Sequence, residues 1–390
     1  MNVSLAKTPV PTTDNRIRVM IVDDAIVVRG LFARWVDAEP DLHMVATLRG
    51  GREAVDQLER HNPDVVVLDV EMPDLDGLSA LPLLFKKKRD LIVIMASTLT
   101  RRNAEISLKA LSLGATDYVA KPQAGEGPVS AASNFRRELI EKIRELGQRA
   151  KKLHMPAPAA APAPARPATA RLPRIPVAPS LVPAAPRHVL RPLPRCAPRV
   201  LAIGASTGGP QALTGLMRKI GTLIDRAPVL ITQHMPPTFT TILAEHLARV
   251  SGRPAREAQH GEEVNAGHIY LAPGAKHMTV ARRDGVAVIE IDDGPPVNFC
   301  KPAVDPLFSS AASVWGQWLL GLVLTGMGAD GLRGSHAIAG AGGAVLTQDE
   351  ASSVVWGMPG QVTMAGISSA VLPLDDIPTK LMRVFAGERL

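Results

Sequence analysis

Cysteine is nearly missing from this sequence: 390 residues hold two, Cys196 and Cys300, and no CxxC pair. That excludes a disulfide framework and a zinc ribbon, and it fits a reducing compartment. Aromatic residues make up 3% of the chain. No apolar run reaches the roughly 18 residues that a membrane helix needs. The longest candidate, WLLGLVLTGMGA at 318–329, is short and rich in glycine, so no integral membrane protein is expected. The first apolar run, IRVMIVDD, ends in two acids and lacks a small-residue cleavage site. No secretory signal is read there, and a cytoplasmic location is expected.

Acidic residues are missing from one long stretch. Residues 151–199 contain nine Lys or Arg, no Asp or Glu, 13 of the 34 prolines and 12 alanines. The net charge of the whole chain is +7, so this stretch carries more than the entire excess. Its arginines alternate with proline rather than aromatics, which argues against stacked bases and a nucleic-acid partner. Without hydrophobic periodicity, such a segment reads as an extended, solvated linker. It splits the chain into two parts.

Both parts alternate apolar runs with helical patterns, the signature of parallel α/β sheets. In the first, strands are expected at 18–22, 43–47, 64–70, 91–97 and 115–120, with helices at 25–38, 51–61, 76–87 and 102–113. In the second, strands are expected at 199–203, 228–233, 268–273, 287–291, 320–325 and 343–348, with helices at 209–220, 238–251, 303–315 and 330–340. A β-hairpin is expected at 279–291, around RRDG. Doubly wound sheets build their sites at the C-terminal ends of strands.

In the first part those ends carry acids. Asp23 and Asp24 follow the first strand, Asp69 ends the third, Ser97 the fourth, and Lys121-Pro122 follow the fifth. Three carboxylates brought together repel and call for a divalent cation, and an all-oxygen donor set suits Mg²⁺. A lysine beside them can neutralise a phosphoryl group, and a hydroxyl can bind one of its oxygens. Each residue alone would be an ordinary loop side chain; at successive strand ends they form a constellation.

In the second part the turn GASTGGP, 204–210, lies between a strand and a helix. Residues 204–208 match G-x-S-x-G, the nucleophile-elbow pattern, but the amides of a helix N-terminus would serve a phosphate equally well. The turn alone leaves the two readings even. A base and its orienter decide between them. His234 ends the second strand, in the layer where Ser206 ends the first, and Asp330 follows LGLVLT in the loop GMGADG. An imidazole can take the serine proton, and a carboxylate fixes the imidazole tautomer. His277 competes for the base role, whereas His246, His260 and His268 read as structural or surface residues. The order Ser…His…Asp differs from the Ser…Asp…His of α/β-hydrolases. A Rossmann dehydrogenase is the rival for the turn, but the spacing here is G-x-x-x-G-G, and Asp225 precedes the second strand rather than ending it.

Two resemblances follow. Residues 17–122 resemble the receiver domain of two-component response regulators. The acidic pair, D-x-x-M-P-x-x-D-G from Asp69 to Gly77, Ser97, Tyr118 and Lys121-Pro122 all occur in order. The resemblance implies that Asp69 accepts a phosphoryl group from a histidine kinase. It also implies that Asp23, Asp24, Asp69 and the Glu71 carbonyl bind Mg²⁺, and that Ser97, Tyr118 and Lys121 form the switch. Residues 200–360 resemble the catalytic domain of chemotaxis protein-glutamate methylesterases, through IGASTGGP, ITQHMPPTFT, IYLAPG, DGPPVNFCKPAVDPLF, VLTGMGADG and QDEASSVVWGMP. That resemblance implies Ser206 as nucleophile, His234 as base, Asp330 as orienter and Met327 in the oxyanion loop. Its substrates would be methyl-accepting chemotaxis receptors, as glutamate methyl esters and as glutamines, and it needs no cofactor for the esterase.

The expected architecture is therefore a flavodoxin-like receiver at 16–135, then the receiver's C-terminal helix and a Pro/Ala/Arg-rich linker at 136–196. A doubly wound serine-hydrolase domain, not of α/β-hydrolase topology, follows at 197–390. The rival is a DNA-binding response regulator, which would need a helix-turn-helix module after the linker.

Overall fold

The computed structural model describes residues 15–121, 128–154, 189–193 and 196–388. Most of the expected linker, and Pro122, lie outside the described residues. The chain divides into two compact units between Lys151 and Lys152.

The first unit runs β1 (Ile17–Val22), α1 (Ile26–Asp37), β2 (Leu42–Leu48), α2 (Gly51–His61), β3 (Val65–Asp69), α3 (Gly77–Lys87), β4 (Ile92–Thr98), α4 (Arg101–Ser112), β5 (Asp117–Lys121) and α5 (Pro128–His154). Its sheet is parallel with order β2-β1-β3-β4-β5, the flavodoxin-like arrangement. The continuous apolar runs became the inner strands: every residue of β3 is buried. β2, on the edge, is mostly half-exposed, which explains its weaker apolar pattern. Two helices start on side-chain caps: Asp76 accepts from Ser79 N–H at 2.7 Å, and Thr100 from Asn103 N–H at 3.2 Å.

The second unit begins β6 (Val200–Ala205), α6 (Gly209–Lys219), α7 (Gly221–Ile224), β7 (Val229–Gln233), α8 (Phe239–Ser251), β8 (Ala255–Glu257) and β9 (Ile269–Leu271). The hairpin β10 (His277–Arg283) and β11 (Val286–Asp292) follows, turning at Asp284-Gly285, both at positive φ as a two-residue hairpin requires. Then come α9 (Val304–Trp315), β12 (Leu319–Val323), α10 (Leu332–Gly340), β13 (Ala344–Gln348), α11 (Met358–Met364), β14 (Ala370–Leu372) and α12 (Ile377–Phe385). The main sheet is parallel with order β14-β13-β12-β6-β7-β9-β8. The chain winds outward from β6 through β7, then returns to start the other half at β12. β6 and β12 therefore flank the switch point, where a crevice opens beyond the C-terminal strand ends. In the first unit the corresponding point lies between β1 and β3.

The three-residue strands β8 and β14, and helices α7, α11 and α12, were not expected from the sequence. β8, β14, α7 and the seven-residue α11 are too short for a period to show, whereas α12 carries a readable one, with Ile377, Leu381 and Val384 buried.

Candidate active site

Both switch points carry the residues singled out above. In the first unit Asp23 and Asp69 are buried beside each other, while Asp24 is exposed. Oxygens of Asp23, Asp24 and Asp69 all lie within 4.8 Å of one another. Lys121 Nζ sits 2.7 Å from Asp23 Oδ2 and 2.7 Å from Asp69 Oδ1. Burial pushes the Asp69 carboxyl up to about 6, against the pull of Lys121 and with the Asp23 charge adding to the rise. A buried carboxylate cluster of this kind, with one exposed member, fits a hard cation that keeps some of its water. Glu71 is exposed and lines the adjoining cleft of about 430 Å³ with Asp24 and Arg102. Ser97 is buried and accepts from the Ser107 hydroxyl of α4 at 3.1 Å. Tyr118 is buried, with Lys142 donating to its carbonyl at 2.6 Å.

In the second unit, Ala205 pairs with Gln233 across β6 and β7, so the next residues, Ser206 and His234, leave the sheet side by side. The turn after β6 is shaped by glycine. Gly208 takes φ +76°, and a Cβ on Gly209 would lie 2.0 Å from Gln233 Oε1. Gln233 Nε2 donates to the Ser206 carbonyl at 2.9 Å, which ties the serine turn to the histidine strand. Ser206 N–H donates to the Thr325 carbonyl at 3.0 Å, and a Cβ on Gly326 would lie 2.8 Å from Ser206 Cβ. The loop holding Met327 thus runs against the serine.

His234 Nε2 lies 2.7 Å from Asp330 Oδ2. A carboxylate only accepts, so Nε2 carries a proton, and Nδ1 is the nitrogen that holds the lone pair whenever the ring is neutral. Asp330 is 2% exposed, and its oxygens accept from more than the imidazole. Val304 N–H donates to Oδ2 at 2.6 Å; Asp305 N–H, Gly331 N–H and Asn298 Nδ2 donate to Oδ1 at 3.1, 3.0 and 3.2 Å. Burial works against the charged forms of both partners. It is outweighed at His234 by the Cys300 sulfur and Asp330, which push the imidazole above its ordinary range. At Asp330 the hydrogen bond and charge of His234, with the backbone donors, hold the carboxyl low. No hydrogen bond joins Ser206 Oγ to His234 among the described residues. That is common before substrate draws the groups together.

His277, the competing histidine, is buried with both nitrogens engaged: Nδ1 accepts from Ala303 N–H at 3.2 Å and Nε2 donates to the Pro295 carbonyl at 3.1 Å. It holds a loop rather than facing the serine. Four neighbours of the dyad were not singled out: Gln233, Asn298, Cys300 and Asp305. All lie in the motif strings; Gln233 adjoins His234 in the chain, and folding brings Asn298, Cys300 and Asp305 to the dyad.

The fold and the site define a class: an acidic receiver unit followed by an α/β unit that sets a histidine–carboxylate dyad beside a serine turn. The chain matches the CheB methylesterase family over residues 201–381 and the response regulator receiver domain family over 19–131. It is 60% identical over 392 residues, covering 100% of both chains, to the protein-glutamate methylesterase/protein-glutamine glutaminase of group 2 operon from Rhodopseudomonas palustris. The like-named protein of Bradyrhizobium diazoefficiens is 60% identical, over 96% of this chain and 95% of that one. A protein-glutamate methylesterase/protein-glutamine glutaminase from Nitrobacter hamburgensis is 60% identical over 95% of each. This chain belongs to the CheB methylesterase family.

Proposed function

We propose that this chain is a phosphorylation-regulated serine esterase of chemotaxis-type adaptation. It demethylates glutamate methyl esters on methyl-accepting chemotaxis receptors and deamidates receptor glutamines. The observation that carries this is the 2.7 Å His234–Asp330 contact at the switch point, beside the Ser206 turn, in a chain 60% identical along its length to named methylesterases. Among the described residues no helix is long and apolar enough to cross a membrane. The enzyme meets its membrane-bound receptors from the cytoplasm.

Ser206 Oγ attacks the γ-carbonyl carbon while His234 Nδ1 takes its proton. Asp330 holds the other ring nitrogen and stabilises the imidazolium. The tetrahedral oxyanion is held by backbone N–H groups, with that of Met327 among them. Collapse expels methanol, or ammonia from glutamine, which leaves with the proton held by His234. Water, deprotonated by His234, then frees the carboxylate. The turn therefore serves an acyl oxyanion rather than a phosphate.

In the receiver, Asp69 takes the phosphoryl group of a chemotaxis histidine kinase. Asp23, Asp24, Asp69 and the Glu71 carbonyl would hold Mg²⁺, which supplies positive charge against the phosphoryl oxygens. Lys121 already faces Asp69 and can pair with the same oxygens, and Ser97 exchanges its bond to Ser107 for one to the phosphoryl group. Tyr118 reorients with that change. Methanol release from methylated receptor membranes, with and without acetyl phosphate, tests the reading. Release that is absent in both conditions overturns it.

A further inference from the structure

Asp305 is a second buried carboxylate beside Asp330, 5% exposed, and the acyl-transfer scheme gives it no part. Among the described residues no Lys, Arg or His pairs with it. Its partners are neutral: Gly334 N–H donates to Oδ1 at 2.8 Å, and Asn298 Nδ2 to Oδ2 at 3.0 Å. Burial pushes its carboxyl above the ordinary range, against the Gly334 hydrogen bond and with the Asp330 charge adding to the rise. A well-packed apolar side chain would fill such a place without that cost, so the oxygens themselves have a task.

The task shows in where the hydrogen bonds go. Asp330, in the loop that leads into α10, accepts the N–H groups of Val304 and Asp305, the first two residues of α9. Asp305, on α9, accepts the N–H of Gly334, the third residue of α10. Each carboxylate thus satisfies donors that the opposite helix leaves open at its start. The N-cap residues of these helices, Ala303 and Gly331, have no side-chain oxygen to offer. The two helix starts are also in close contact. A Cβ on Gly334 would lie 2.4 Å from Phe308 Cβ and 3.2 Å from the Asp305 carbonyl oxygen. Asn298 joins the two acids, because its Nδ2 donates to Asp305 Oδ2 and, at 3.2 Å, to Asp330 Oδ1. An amide nitrogen carries two hydrogens, one for each carboxylate.

We infer that Asp305 and Asn298 are positioning residues that fix the Asp330 carboxylate for His234. This deepens the esterase reading above and rests on it. Asp330 Oδ2 must stay on His234 Nε2 while the imidazole gains and loses a proton. The donors on Oδ1 set the rotation of the carboxylate plane. Two of them are backbone N–H groups, of Asp305 and Gly331, and the third is the Asn298 side chain. A side-chain amide can turn over; Asp305 prevents it. With an acid on either side, the turned amide would set its oxygen against two carboxylates, so only the orientation that donates to Asp330 is stable.

The test measures methanol release by the full chain, with acetyl phosphate, from methylated receptor membranes and from the small soluble ester N-acetyl-glutamate γ-methyl ester α-amide. Asp305→Asn keeps the shape of the side chain but sets an NH₂ group against Asn298 or Gly334. Its kcat is expected to fall by about tenfold to a hundredfold on both substrates, with KM unchanged, as a small misplacement of a reacting group does. Asn298→Gly suits the φ of 50° at that position and removes the amide alone. Its kcat falls to a similar level, and the double variant falls no further than the lower single one, because the two residues act as a unit. A folded variant of either kind with kcat within about threefold of wild type overturns the inference. Losses that multiply in the double variant, or that appear on receptor alone, overturn it too. Where Asp305→Asn does not fold, Asn298→Gly decides by the same kcat. Wild-type protein that cleaves neither substrate removes the esterase reading, and this inference with it, before any variant is made.

Discussion

Replacing Asp330 by asparagine keeps the shape of the side chain and reverses half of its hydrogen bonding. The carboxylate accepts five hydrogen bonds, three at Oδ1 and two at Oδ2. An amide turned with NH₂ at the Oδ1 position would face three donors. Turned the other way, it faces Val304 N–H and His234 Nε2. The second orientation costs less, because the imidazole can move its proton to Nδ1 and accept at Nε2. Two consequences follow. Val304 N–H is left buried against another donor, at a cost of about 1–3 kcal/mol. For a domain of this size that lowers Tm by roughly 2–12 °C. The imidazole now presents N–H to Ser206 instead of a lone pair, and the wrong tautomer of a catalytic histidine costs on the order of 10⁴ in kcat in a serine protease. The expected result for Asp330→Asn is thus a folded protein, less stable by several degrees, whose methanol release falls by about 10³–10⁴. Thermal unfolding by circular dichroism and a receptor demethylation assay measure the two effects. Activity within tenfold of wild type would refute the assignment of His234 orientation to Asp330. An unchanged Tm would refute the hydrogen-bond reasoning.

Three further outcomes are expected. Ser206→Ala should abolish methanol release without lowering Tm by more than a few degrees, since Oγ makes no hydrogen bond among the described residues; near-wild-type release would remove Ser206 as nucleophile. Asp69→Asn should not be labelled by radioactive acetyl phosphate, and its esterase activity should not respond to the phosphodonor; labelling equal to wild type counts against Asp69. The rising limb of the pH–activity profile should lie above the ordinary histidine value of about 6.5, because the partners of His234 favour its protonated form. For the same reason, the stability that His234 contributes is fully present below about pH 6.5 and is lost as pH rises through its folded value. Asp330→Asn should move that limb downward, and a limb that stays put in the variant contradicts the coupling.

How much of this was legible in the sequence depended on the range of the interaction involved. β1, β3, β4, β6, β7, β12 and β13 are long apolar runs because both faces of the sheet are covered, and periodicity finds such strands. β8 and β14 span three residues each and carry no period. Asp23, Asp24, Asp69, Lys121, Ser206, His234 and Asp330 could be singled out because chemistry at successive strand ends converges whenever the sheet forms. Gln233, Asn298, Cys300 and Asp305 could not: Gln233 reads as one more residue of β7, and the other three lie on the connection from β11 into α9, which meets His234 and Asp330 only once the chain is folded. His277 shows the same limit from the other side. Its place after a strand suits a base, and only the two backbone partners of its ring reveal a structural task.

Those two partners have a further consequence. Pro295 and Ala303 both bond to a single buried ring, so the segment between them is pinned at its ends by a side chain from outside it. Within it, Asn298 alone donates a side-chain hydrogen bond to Asp330. The segment is thus a closed clasp: one ring holds both of its ends, and the fixed far end leads directly into Val304 and Asp305, whose amides bond the Asp330 carboxylate.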